Sequence, residues 1–114
     1  MTTAAKRKGD AAELEVARII ADLTGWNVRR KLGAGRADDT GDLHGIPDTT
    51  VQVKNYVDVA RAIREGLNEL EVQCANAGTT FAVLLVRRRG GKWAAVMPIE
   101  MFCTYARESL AVAA

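Results

Sequence analysis

From about residue 10 to residue 23 apolar side chains return at three- and four-residue steps, with Val16, Ala17, Ile20 and Leu23 on one side and Glu15, Arg18 and Asp22 on the other. That period is helical and Gly25 is a stop signal, so the first element is an amphipathic helix starting near Asp10. The pattern then changes. Trp26 to Lys31 and Asp42 to Ile46 read as short strands, and Leu32 to Asp39, with Gly33 and Gly35, as the loop between them. Thr49 to Asn55 reads as a third strand after a break at Pro47. Asp58 is a natural N-cap for a long second helix, in which Val59, Ile63, Leu67, Leu70, Cys74 and Ala77 keep helical spacing until Gly78 closes it. Phe81 to Arg87 is apolar almost throughout, as expected of a central strand covered on both faces. Gly90-Gly91 turns it into a hairpin partner, Trp93 to Met97. Pro98 opens a last helix at the position where its missing N–H is tolerated, and Met101, Phe102 and Tyr105 give that helix an apolar side.

The resulting order, α-β-β-β-α-β-β-α, is an α/β fold with a mixed sheet flanked by helices. At 114 residues and 48% hydrophobic content the chain suits one domain around a single core. Residues 1–7 and 111–114 are expected to be flexible ends. The net charge of +2 is mild, and its distribution is more informative. Lys6, Arg7 and Lys8 form one basic run; Arg29, Arg30 and Lys31, with Arg36, form a second; Arg87, Arg88 and Arg89, with Lys92, form a third. A single such run is ordinarily a solvated face, whereas three around one candidate site favour contacts with phosphates. Cys74 and Cys103 lack the paired spacing of a zinc site. With neither a secretory leader nor a membrane-length apolar run in view, a reducing cytoplasm is the expected compartment.

The candidate chemistry lies between Gly41 and Asn55. Side chains alternate along a strand, so Val51 and Val53 point to one face and Gln52 and Lys54 to the other. Asp42 precedes Gln52 by ten residues. A carboxylate, a metal-capable amide oxygen and a lysine at one sheet edge are what metal-dependent phosphodiester hydrolysis requires. Glu13 sits on the apolar stripe of the first helix, where a carboxylate must find a cation, a metal or a donor. The plainer alternative makes Asp10 the N-cap and Glu13 its capping-box partner. Taken alone, Asp42 reads as a turn residue between glycines, with Asp38, Asp39 and Asp48 as nearby competitors, and Lys54 as a solvated strand end; taken together with Gln52, they favour Asp42 and Lys54 as site residues. His44 is the only histidine, which excludes nucleases that need two or more.

Taken in order, Lys8-Gly9-Asp10-Ala11-Ala12-Glu13, Gly25-Trp26-Asn27-Val28-Arg29-Arg30, Asp42 and Gln52-x-Lys54 resemble the restriction-endonuclease-like PD-(D/E)xK superfamily over roughly residues 6–98. The archaeal-type Holliday junction resolvases and the Mrr-like nucleases are the branches it looks most similar to. The departure is Gln52, where most members carry an acid and the Mrr-like branch accepts glutamine. The resemblance implies a DNA endonuclease in which Glu13, Asp42, Gln52 and the Val53 carbonyl hold Mg²⁺ or Mn²⁺. Lys54 would serve the attacking water or the scissile phosphate, and the basic runs would grip the DNA backbone. It implies a homodimer as well, since cutting two strands symmetrically needs two sites, and branched DNA such as a four-way junction as substrate. A restriction- or repair-type nuclease on duplex or flap DNA, and a non-catalytic DNA-binding subunit, are the alternatives.

Overall fold

The computed structural model describes residues 3–32 and 39–113. Eight elements follow one another in the expected order. Helix α1 (Ala4–Thr24) begins earlier than its apolar period suggested, because the Thr3 hydroxyl accepts the Lys6 N–H at 3.1 Å and alanines carry the first turn. Asp10 therefore lies inside the helix, not at its cap, and the capping box with Glu13 does not form. Lys6, Arg7 and Lys8 lie within the first turns of α1. Gly25, in the left-handed conformation, closes it by donating to the Ala21 carbonyl. Ala12, Val16 and Ala17 are its buried residues, and Ile20 and Ala21 are the last to touch the core, which leaves Leu23 exposed.

Strands β1 (Arg29–Arg30) and β2 (Leu43–His44) form a short antiparallel pair, with Arg29 opposite His44 and Arg30 opposite Leu43. Both are shorter than their apolar runs because Gly41 and Gly45, at φ 100° and 96°, bound β2 on either side. A Cβ at Gly45 would collide with the Asn27 carbonyl, so only glycine lets the two segments approach. Trp26, expected in the first strand, precedes it and is half-exposed.

Strand β3 (Thr49–Lys54), helix α2 (Val59–Ala77) and strand β4 (Phe81–Arg87) make a β-α-β unit with β3 and β4 parallel, in register from Thr49 with Phe81 to Lys54 with Val86. Strand β5 (Trp93–Val96) pairs antiparallel with β4, giving a mixed sheet of order β3-β4-β5. One face carries Val51 and Val53 against Ala12, Val16 and Ala17 of α1, with Val28 and Leu43. The other carries Ala82, Leu84 and Val86 against Ala62 and Leu70 of α2. The line of α2 that is most deeply buried is Ala62, Gly66, Leu70 and Gln73, rotated from the expected stripe, whose Val59, Ile63, Leu67 and Cys74 sit at the margin. Small residues explain the rotation: an added Cβ on Gly66 would stand 2.5 Å from Leu84 Cδ1, so the bare helix backbone lies against β4. β4 is central in the sheet but unequally covered, since Ala82, Leu84 and Val86 are buried and Phe81, Val83 and Leu85 half-buried.

Helix α3 (Ile99–Ala113) departs from expectation in its orientation. Met101 packs on the α2 cluster and Tyr105 stacks on Phe81 with ring centroids 4.4 Å apart, but Phe102 is 59% exposed. Among the described residues no helix is long and apolar enough to cross a membrane.

Candidate active site at the free edge of β3

One edge of β3 pairs with β4, and the other meets Asp42. The Asp42 N–H donates to the Val51 carbonyl at 2.7 Å, and its carboxylate Oδ2 accepts the Val53 N–H at 2.8 Å. Its own carbonyl accepts the Lys31 N–H at 2.8 Å. The side chain thus occupies the place a further backbone carbonyl would take in a ladder, and so the carboxyl is fixed against β3. Burial pushes its pKa up to about 7. The Val53 N–H and Lys54 oppose that rise, whereas the carboxylates of Glu13 and Asp39 add to it.

Glu13 reaches this region from α1. Its side chain is 19% exposed and accepts from Arg30 Nε at 3.1 Å, while Arg30 also donates to Asp10 at 2.8 Å. Burial raises the Glu13 pKa and Arg30 counteracts it. The requirement that an inward carboxylate find a cation is thereby met by Arg30, which is consequently engaged within the protein.

Gln52 and Lys54 do share a face, and it is the face toward α2. Gln52, only 5% exposed, donates through Nε2 to Glu69 Oε2 at 2.8 Å and accepts through Oε1 from Gln73 Nε2 at 2.5 Å. Lys54 Nζ pairs with the same Glu69 oxygen at 2.6 Å and lies 5.3 Å from the Tyr56 ring centroid. Burial would lower the Lys54 pKa, but its contacts with Glu69 and Tyr56 outweigh that and raise it, so it remains an ammonium. Asp39, which the sequence placed in a loop and ranked behind Asp42, also reaches this network: its Oδ2 accepts from Gln73 Nε2 at 2.8 Å, and its carbonyl accepts from Asn76. The Gln73 Oε1 atom is buried with no hydrogen-bond partner among the described residues.

Glu69 and Gln73 were not singled out from the sequence. The available signal was the four-residue repeat Glu65, Glu69, Gln73, a polar line beside the apolar stripe of α2. The other sequence candidates separate. His44 is exposed on β2, and Asp48 ties the turn before β3 to the Thr80 N–H. Lys6 pairs with Asp10, and Lys31 Nζ donates to both oxygens of Thr40. Arg29, Arg88, Arg89 and Lys92 are exposed, and Arg87 follows Val86 at the sheet end where Lys54 lies. Arg36 and Asp38 fall outside the described residues.

Among the described residues no three Asp, Glu, His or Cys side chains converge to hold a metal on their own. A divalent cation nevertheless suits the donors at this edge. The Asp42 carboxyl is held near neutrality by burial and by two neighbouring carboxylates, a situation that a nearby positive charge relieves. Gln52 Oε1 spends one lone pair on Gln73 and keeps a second. Comparison of the chain with protein-family models, with curated proteins and with solved structures found no match.

The geometry makes Gln52→Glu informative. It would set a second carboxyl beside Glu69 Oε2, where Gln52 Nε2 now donates, and the single Lys54 ammonium paired with that oxygen does not offset two ionised carboxylates in so buried a place. The variant should melt lower than wild type at pH 8 in EDTA and regain most of the loss in millimolar Mg²⁺. Equal melting temperatures under both conditions would show that no divalent cation reaches this position.

Proposed function

We propose that this chain is a metal-dependent DNA endonuclease of the restriction-endonuclease-like kind, acting on branched DNA such as a four-way junction. The observation that carries the reading is the Asp42 carboxyl, buried against the free edge of β3 and close enough to both Glu13 and Lys54 for each to act on its charge. Asp42 and Glu13, with the Val53 carbonyl and the second lone pair of Gln52 Oε1, would hold Mg²⁺ or Mn²⁺. When bound, such an ion supplies Lewis acidity toward the phosphate and its attacking water. The protein does the rest. Arg30 orients Glu13, and Gln73 and Glu69 fix the Gln52 amide. Glu69 holds Lys54 as an ammonium, able to place the attacking water or offset charge on the phosphate. Arg87, Arg88, Arg89 and Lys92, at the same sheet end, would grip the DNA backbone, which confers affinity without reading bases. Two such sites in a C2 homodimer would address two strands.

A second reading, a DNA-binding subunit without catalysis, is favoured by Gln52 being engaged on both amide atoms by α2. Four-way junction, flap and linear duplex incubated in Mg²⁺, Mn²⁺ or EDTA separate the two. The expected result is metal-dependent cutting of the junction, absent in EDTA and lost in Lys54→Ala with binding retained. Binding of the junction with no cutting in either metal would establish the non-catalytic reading. Preferential cutting of duplex or flap would move the substrate to repair or restriction chemistry.

A further inference from the structure

Helix α3 turns its more apolar side away from the protein. Met101 and Tyr105 face the sheet, while Ile99 is 72%, Phe102 59% and Leu110 69% exposed. Cys103 is exposed between them and Ala106 half-buried. Positions 99, 102, 103, 106 and 110 follow the three- and four-residue steps of one helix face, so these side chains make a continuous apolar stripe. A soluble surface helix normally presents the opposite arrangement, and a contiguous apolar patch marks a contact.

The charges beside the stripe say what covers it. Glu100 and Arg107 are exposed, and among the described residues neither side chain has a partner. Seven residues apart, they share one flank of the stripe to within about 20° and stand about 10 Å apart along the axis. A two-fold axis perpendicular to α3 brings a second copy of the helix antiparallel against the first and keeps the same flank on the same side. Glu100 of each copy then meets Arg107 of the other, and the two apolar stripes close on each other. A parallel arrangement would put the charged flanks on opposite sides and leave them unpaired. The stripe with its flanking charges is therefore self-complementary in one geometry only.

We infer that α3 is the interface of a C2 homodimer, formed by antiparallel packing of Ile99, Phe102, Cys103, Ala106 and Leu110 on their copies with reciprocal Glu100–Arg107 ion pairs. The inference rests on the α3 surface alone and stands whether or not the chain cleaves DNA. A stable interface typically takes about 800 Å² from each partner, and one helix face offers less, so the dimer is a weak one, with a Kd on the order of micromolar.

Sedimentation velocity of the full chain from about 1 to about 300 µM tests this, a range that brackets such a Kd. Wild type is expected to pass from monomer to dimer. Glu100→Arg and Arg107→Glu should each weaken association about tenfold or more by setting like charges opposite one another. An equimolar mixture of these two variants should restore it, because the heterodimer again has both pairs, and the double exchange E100R/R107E should behave like wild type. Phe102→Glu, checked for native circular dichroism, should remain monomeric. A wild-type chain that is monomeric throughout would overturn the inference. So would a dimer unaffected by Phe102→Glu, or single charge reversals whose mixture associates no better than either alone.

Discussion

Asp42→Asn is expected to abolish cleavage and, at pH 8, to make the protein more stable than wild type. Asp42 titrates near pH 3.8 when unfolded and near 7 when folded, because burial and the Glu13 and Asp39 carboxylates disfavour its ionised form. Between those values the folded state holds a proton that the unfolded state has released, so stability falls as pH rises. The favourable contribution is fully present below about pH 4 and is lost as pH passes through 7. A difference of about three units corresponds to roughly 4 kcal/mol at the upper end of that window. Asparagine keeps an oxygen for the Val53 N–H without acquiring charge, so its advantage in melting temperature should be smallest near pH 4 and grow to pH 8. Mg²⁺ should raise the melting temperature of wild type at pH 8 and leave the variant unmoved. A stability difference that does not change with pH would remove Asp42 as the buried acid. Cleavage at wild-type rate by the variant would remove it from the active site.

Leu84→Ala is the substitution expected to damage the fold most. Leu84 has no exposed surface, lies on the central strand, and is the residue on which the bare backbone of Gly66 rests. Removing its branched end leaves a cavity between α2 and β4 that fixed backbone cannot close, at a cost of about 3–5 kcal/mol. Gly66→Ala alone should cost roughly 1–3 kcal/mol, because the new methyl would stand 2.5 Å from Leu84 Cδ1 and 2.8 Å from Cδ2. In the double variant that methyl enters the space left by leucine, so the two losses should not add. Denaturant unfolding of the four proteins measures the coupling, with at least 1 kcal/mol expected in favour of the pair. Additive losses would mean that α2 shifts away from the sheet and that Gly66 does not set its distance.

The elements that the sequence by itself determined are those with local causes. Helical period, the Asp58 cap, and stops at Gly25 and Gly78 act within a few residues, and they mark α1 and α2 without knowledge of the rest of the chain. The alternation of Thr49 to Lys54, the apolar run of Phe81 to Arg87 and the Gly90-Gly91 turn do the same for the mixed sheet. The pairing of Gln52 and Lys54 on one face was equally legible, because strand geometry imposes it at every i and i+2.

What that face meets was decided only by tertiary structure. Gln52 finds Glu69 17 residues away, and Gln73 finds Asp39 34 residues away, through the packing of α2 across β3. Arg30 looks like a phosphate ligand in the sequence because three basic residues adjoin, yet in β1, paired with β2, it lies against Asp10 and Glu13 of α1. β1 and β2 shrink to two residues each because the close backbone approaches at Gly45 and at Gly41, both with positive φ, end their ladder, a limit that apolar content does not record. The apolar period of α3 was visible, but a period has no inside: the contacts of Met101 and Tyr105 with the sheet settled that Phe102 faces out. Periodicity and caps act along the chain and can be read there, whereas partners brought together across long separations depend on the free energy of packing the whole domain.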